Sequence, residues 1–260
     1  MDDPLMALAV APGFLLMLYF YKRDTHEPEP QEKVAQMMGW GALCVIPALI
    51  LELMAPAIFP FVSGDNLISI AINAYLVVAV AEELCKFIAV KKKIYDDPEL
   101  DEPYDGVVYC VATSLGFAIV ENVLYVLSGG FGVGILRALM AVPAHALFAV
   151  FMGYYVGKSK FVEDPGLRTR YLATGLLVAV ASHGTYDFVL FTNIPILQLT
   201  VFPLLGLFWA LALWKVRKAV AVSPFAPENM PVPMVAPETL GPPEQPSEWS
   251  QLAANDEQES

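Results

Sequence analysis

Seven stretches of this chain are almost uninterruptedly apolar, with short polar segments between them: residues 4–21, 34–61, 66–90, 106–127, 131–157, 171–192 and 195–214. A helix needs about 20 apolar residues to cross the hydrocarbon core of a bilayer. The pattern therefore predicts an all-α fold, a polytopic membrane bundle of about seven transmembrane helices. Pro47, Pro56 and Pro60 are expected to kink or shorten the second span. The first span follows the acidic start Met1-Asp2-Asp3. A secretory signal begins with a basic region, so this span is expected to be a retained helix.

The polar segments alternate in charge. Lys22, Arg23 and Lys33 follow the first span, Lys91, Lys92 and Lys93 the third, Lys158, Lys160, Arg168 and Arg170 the fifth, and Lys215, Arg217 and Lys218 the seventh. The alternate loops, around Asp65, Gly129 and Asn193, carry no Lys or Arg. Basic residues mark the cytoplasmic side, which puts the N-terminus outside and the C-terminus in the cytoplasm. Residues 1–218 form the expected membrane domain. Residues 219–260 hold eight prolines, seven acids and no Lys or Arg, and read as a disordered, Pro-rich, acidic cytoplasmic tail.

Composition sharpens this picture. The chain is 57% hydrophobic and 16% charged, whereas a soluble domain carries about 25% charged residues. The net charge of -12 is concentrated in the tail, and no basic patch suits a nucleic acid. Cys44, Cys85 and Cys110 lack CxxC spacing and read as small buried hydrophobes.

Only two basic residues, Lys86 and Arg137, fall inside spans, where they join Glu52, Glu82, Glu83, Glu121, His145, His183 and Asp187. A charge at mid-bilayer costs at least about 2.5–3.5 kcal/mol, so such residues are functional candidates, the plainer reading being interhelical glue. Lys86 lies four residues after Glu82 and three after Glu83, so it can neutralise either on the same helix. Two carboxylates close together in a low dielectric suit a general base. Phe117, Glu121 and Tyr125 share a stripe of the fourth span, with Asn122 beside it, and Asn122 or Tyr125 could hold substrate or support Glu121. Ala149 and Gly153 follow His145 on its face and would let another helix approach closely. Asp187 lies one turn after His183 and could orient its ring or act as a ligand.

Counted from the cytoplasmic ends, Glu83 lies about 10–16 Å deep, Glu121 about 21 Å, and His145 and His183 about 18 Å. Four helices thus aim polar groups at one layer. Two histidines with one or two carboxylates are the ligand set of catalytic zinc. On this reading Glu121, His145 and His183 bind zinc with Asp187 in support, Glu82 or Glu83 is the base, and Lys86 tunes that pair. Glu52 is expected to reach interfacial water, about 27 Å from the cytoplasmic face. Arg137 could snorkel or pair with Glu121 or a substrate carbonyl. His26 is expected to be inert, and Asp105 to cap the fourth span.

The ordered motifs Glu82-Glu83-x-x-Lys86, Gly116-Phe117-x-x-x-Glu121-Asn122-x-x-Tyr125, Pro143-x-His145-Ala146 and His183-Gly184-x-Tyr186-Asp187, with the Pro103-x-Asp105-Gly106 lead-in, resemble the PrsW family of intramembrane proteases. The resemblance runs over roughly residues 19–218 and extends distantly to the CAAX prenyl endopeptidase superfamily. It implies a multi-pass peptidase of the bacterial cell membrane that cuts single-pass membrane proteins such as anti-sigma factors. It also implies that the paired glutamates and later histidines carry catalysis. A metal-free glutamic protease and a proton-coupled transporter are the alternatives compatible with the same residues.

Overall fold

The computed structural model describes residues 3–230, and every long element in them is helical. Helix α1 spans Asp3–Tyr21, α2 Gln31–Ile58, α3 Leu67–Lys93, α4 Asp105–Leu139, α5 Ala141–Lys160, α6 Pro165–Phe191 and α7 Val201–Val220. Among the described residues, six helical stretches are long and apolar enough to cross a membrane. The fourth, Asp105–Lys160, is 56 residues long and contains both the fourth and the fifth expected spans. At 1.5 Å per residue it measures about 84 Å, far more than a core of about 30 Å. It reverses at Gly130, whose φ of 73° and ψ of -163° suit only glycine. The arm after Gly130 folds back along the arm before it, and Arg137 Nε donates to Asn122 Oδ1 at 3.0 Å.

The α4–α5 hairpin is the centre of the bundle. Of its most apolar window 61% is buried, against 22% in α1, α2 and the last stretch, which wrap it. The outer helices leave Leu15, Leu53, Ile68 and Leu177 exposed, as lipid-facing positions require.

Glycines set the helix spacing. A Cβ on Gly116 would lie 1.9 Å from the Met38 carbonyl oxygen, and one on Gly41 would lie 1.8 Å from that of Thr113. Helices α2 and α4 therefore touch backbone to backbone. Gly153 meets Gly106 in the same way, with 2.4 Å to its carbonyl oxygen, so the small residues after His145 receive α4.

Helix α2 runs through Pro47 and Pro56 but stops at Ile58, short of the expected span end and just before Pro60, which opens a 3-10 turn. Two other details differ from the sequence expectation. Asp105 starts α4, but its Oδ2 accepts from the backbone N–H of Asp101 (2.8 Å) and Glu102 (2.6 Å). It thus fixes the turn leading into the helix rather than capping the helix itself. The first part of the expected tail, residues 219–229, packs on the bundle, because Ser223 is buried and its hydroxyl donates to Glu102. Asn229 Nδ2 closes that segment on the Ser223 carbonyl at 2.8 Å. Residues 231–260 of the expected tail lie outside the described residues.

Gly116→Val should destabilise the bundle by about 1–3 kcal/mol through overpacking. Gly39→Ala, where nothing lies within 4 Å of the added carbon, should change stability by less than about 1 kcal/mol. Thermal unfolding in detergent measures both.

Candidate active site

Glu82, Glu83 and Lys86 sit on α3, Glu121 on the first arm of α4, His145 near the start of α5, and His183 and Asp187 on α6. A π-helical turn, Asn73–Val78, precedes the glutamates. Its Tyr75 packs on α6 at Gly184, where a Cβ would lie 2.4 Å from the ring, and its hydroxyl lies 2.9 Å from Thr185 Oγ1. Gly184 thus brings α3 and α6 close enough for Glu83 to meet His183.

Lys86 is the hub. Its ammonium donates to Glu82 Oε2 (3.0 Å) and Glu83 Oε1 (2.8 Å) and lies 3.3 Å from His145 Nδ1. An ammonium has three donors and no acceptor. Those three partners use all of them, while the Phe117 ring lies 4.1 Å from the nitrogen. His145 Nδ1 must then be the unprotonated ring nitrogen, which puts the proton on Nε2, 2.9 Å from Glu121 Oε2. His183 lies between two acids, with Nδ1 2.9 Å from Glu83 Oε1 and Nε2 3.3 Å from Asp187 Oδ2. Phe148 stacks on its ring at 4.8 Å and 19°. Ser114 holds the α5 backbone in register by donating to the His145 carbonyl at 2.9 Å.

The expected depth coincidence is thereby realised as direct contact, and the partners separate into two groups. Ligand atoms of Glu82, Glu83, His145 and His183 all lie within 4.8 Å of one another. Glu121 and Asp187, expected as ligand and supporting ligand, stand outside that group. Each faces the ring nitrogen turned away from α3, the position of an acid that orients a ligating histidine. The donor set of the inner group suits a metal. Two imidazoles and two carboxylates form a zinc-type set, and Glu83 Oε2 is buried with no hydrogen-bond partner.

A cavity of about 350 Å³ opens over the cluster, lined by Glu52, Glu82, Glu121, Tyr125, Arg137, His145, His183 and Asp187. Glu83, wholly buried, does not line it. A second cavity of about 220 Å³ reaches Glu82, Glu121 and Tyr125 past Val45, Leu49 and Leu124 of α2 and α4.

Four placements depart from expectation or resolve one. Glu52 lines both cavities. Arg137 does not snorkel: its Nη2 lies 2.9 Å from Glu121 and its guanidinium 4.0 Å from the Tyr125 ring centre. Asn122 is not available to substrate. Its Nδ2 donates to the Ala9 carbonyl at 2.8 Å and its Oδ1 accepts from Arg137. Tyr125 remains half exposed at the cavity wall. Phe148 and Ser114 were absent from the sequence reading, since an aromatic or a serine in an apolar run carries no signal of its own.

A family model described as PrsW family intramembrane metalloprotease matches residues 29–214. The chain is 40% identical over 215 residues to a protease PrsW of Geobacillus kaustophilus, which covers 83% of this chain and 92% of that relative. It is 32% identical over 219 residues to the protease PrsW of Bacillus subtilis, covering 84% of this chain and 97% of the relative. No solved structure matches the chain.

Lys86→Met leaves two buried carboxylates without their shared cation and should cost about 3–5 kcal/mol. The triple variant E82Q/E83Q/K86M, which removes the charges together, should regain much of that loss. Unfolding midpoints of the two proteins compare them directly.

Proposed function

The chain belongs to the PrsW family of intramembrane metalloproteases, and on that premise we propose that it hydrolyses peptide bonds of membrane-protein substrates at the Glu82-Glu83-His145-His183 cluster. It is a multi-pass membrane protein with bacterial relatives. The observation that carries the assignment is the contact of these four side chains, drawn from three helices, at the floor of a cavity. The bacterial cell membrane is its proposed location, with seven crossings, the N-terminus outside and the C-terminus in the cytoplasm. The thirteen basic residues that follow the first, third, fifth and seventh spans support that orientation.

His145, His183 and Glu83 are the proposed metal ligands, with Glu82 within reach of the same position; His145 Nδ1 would exchange its Lys86 hydrogen bond for the ion, and zinc is the ion their chemistry suits best. When bound, such an ion supplies Lewis-acid polarisation and acidifies a water to a pKa of about 7. Glu82 is the proposed general base, because it is the member of the glutamate pair that lines the cavity. It takes the proton of the attacking water and passes it to the leaving amine. Glu121 and Asp187 fix the two imidazoles from behind. Lys86 supplies a permanent counter-charge that holds Glu82 and Glu83 in place. Arg137 and Tyr125 line the cavity wall where a substrate backbone would lie. The smaller cavity between α2 and α4, with Leu49 and Leu124 at its exposed rim, gives a lateral route from lipid. Single-span proteins, such as anti-sigma factors, are substrates that could use it.

A metal-free glutamic mechanism is favoured by one observation: Lys86 already supplies positive charge to the centre of the cluster, with every donor used. Elemental analysis of protein purified without chelator separates the two readings. About one equivalent of zinc, with cleavage lost on chelation and restored by zinc, is the expected result. Glu82→Gln should slow cleavage of a reconstituted single-span substrate by about 10²–10⁴-fold. Glu83→Gln and His183→Ala should lose both cleavage and bound metal. Full-rate cleavage by Glu82→Gln would move the base elsewhere.

A further inference from the structure

A second set of buried acids lies away from the active site, at the other end of α4. Asp24 and Glu29 come from the α1–α2 loop, Glu102 from the α3–α4 loop, and Asp105 from the first turn of α4. Their exposures are 5%, 0%, 1% and 0%. Glu121 lies 16 residues further along α4, about 24 Å away, so the two clusters are separate.

Glu29 and Asp105 are each held by one oxygen, with the other bare. Glu29 Oε2 accepts from the Tyr109 hydroxyl, Glu102 Oε2 from the Ser223 hydroxyl, and Asp105 Oδ2 from two backbone amides. Glu29 Oε1, Asp105 Oδ1 and Asp24 Oδ2 are buried with no partner. Ligand atoms of Asp24, Glu102 and Asp105 lie within 4.8 Å of one another, and the Glu29 carboxyl adjoins that of Asp105. Among the described residues, no Lys or Arg forms an ion pair with any of the four. Buried carboxylates need hydrogen bonds, a counter-charge or a metal. Here the hydrogen bonds take one side of Glu29 and Asp105 and leave the other oxygen, like Asp24 Oδ2, with no partner among its acidic neighbours.

We propose that Asp24, Glu29, Glu102 and Asp105 bind a divalent cation with oxygen ligands, Mg²⁺ or Ca²⁺, which ties the α1–α2 loop, the α3–α4 loop and the segment after α7 to the end of the bundle. All-oxygen, carboxylate-rich coordination selects these hard cations over zinc. The C-terminal segment joins through Ser223, whose hydroxyl orients Glu102. Without a cation, burial and then the charges of Glu102 and Asp105 push Asp24 up to about 8. Burial likewise pushes Glu29 up to about 10. A dication would keep all four ionised.

The test uses the full chain in detergent after chelator treatment and removal of the chelator. MgCl₂ and CaCl₂ are titrated separately, with the unfolding midpoint and calorimetric binding as readouts. The preferred ion should raise the midpoint by about 5–10 °C at 100 times its Kd. In Asp24→Asn and Glu102→Gln the affinity should fall at least tenfold. The cation-free midpoint should hold or rise, because a crowded carboxylate is gone. As purified, before any chelator treatment, both variants should keep the metal content of the active site, which distinguishes this site from that one. If either variant fails to fold, Glu29→Gln takes its place. No response to either ion, or an equal response in the variants, overturns the proposal. Shared protons in place of a cation also overturn it, and they have their own signature. Carboxyls with raised folded pKa lose stability as pH rises from about 4 to about 10, with no dependence on Mg²⁺ or Ca²⁺.

Discussion

The bundle depends on the neutralisation of acids inside a medium that tolerates no bare charge. Glu82 and Glu83 are buried on one helix, and Lys86, one turn away, answers both. Desolvating such a set costs several kcal/mol per ion, and mutual attraction offsets this only with good geometry and satisfied donors. That condition is met at Lys86, where each of the three N–H groups has an acceptor. The rest of the site follows from it. Once Lys86 claims His145 Nδ1, the proton of that ring must face Glu121, and Glu121 in turn draws Arg137 inward.

The fold serves this network by allowing close approach. The Gly41–Gly116 contact seats α2 on α4, Gly106 and Gly153 seat α4 on α5, and Gly184 seats α6 on α3. Side chains as short as Glu and His can then span the gaps between helices at 2.9 Å. The reversal at Gly130 adds the Arg137 arm above Glu121 without lengthening the bundle.

Much of this was legible in the sequence, and the reasons are specific. Apolar runs of helical length have one outcome in a bilayer, so the all-α class followed directly. Ionisable residues are costly there, so Glu82, Glu83, Lys86, Glu121, His145, His183 and Asp187 announced themselves, and counting residues put four of them in one layer. The pairing was not legible. Whether Glu121 or Glu83 approaches a given ring nitrogen depends on helix rotation and tilt, which the π turn at Asn73–Val78 and the glycine contacts decide. That Glu52 lines the same cavities was not legible, because it depends on the tilt of α2. The partner of Asn122 was not legible, because a backbone carbonyl has no sequence signature. Asp24, Glu29 and Glu102 carried no signal of their own and Asp105 read as a helix cap; only the packing of two loops made them neighbours.

The bond from Asn122 to the Ala9 carbonyl reaches beyond the site. Ala9 belongs to α1, upstream of residue 29, where the family match begins. Through that carbonyl α1 fixes the Asn122 amide, and the amide's oxygen fixes Arg137. The first helix therefore lends the reaction centre no side chain yet serves as its mooring. A protein trimmed to the matched core would keep every acid and imidazole and let its arginine drift.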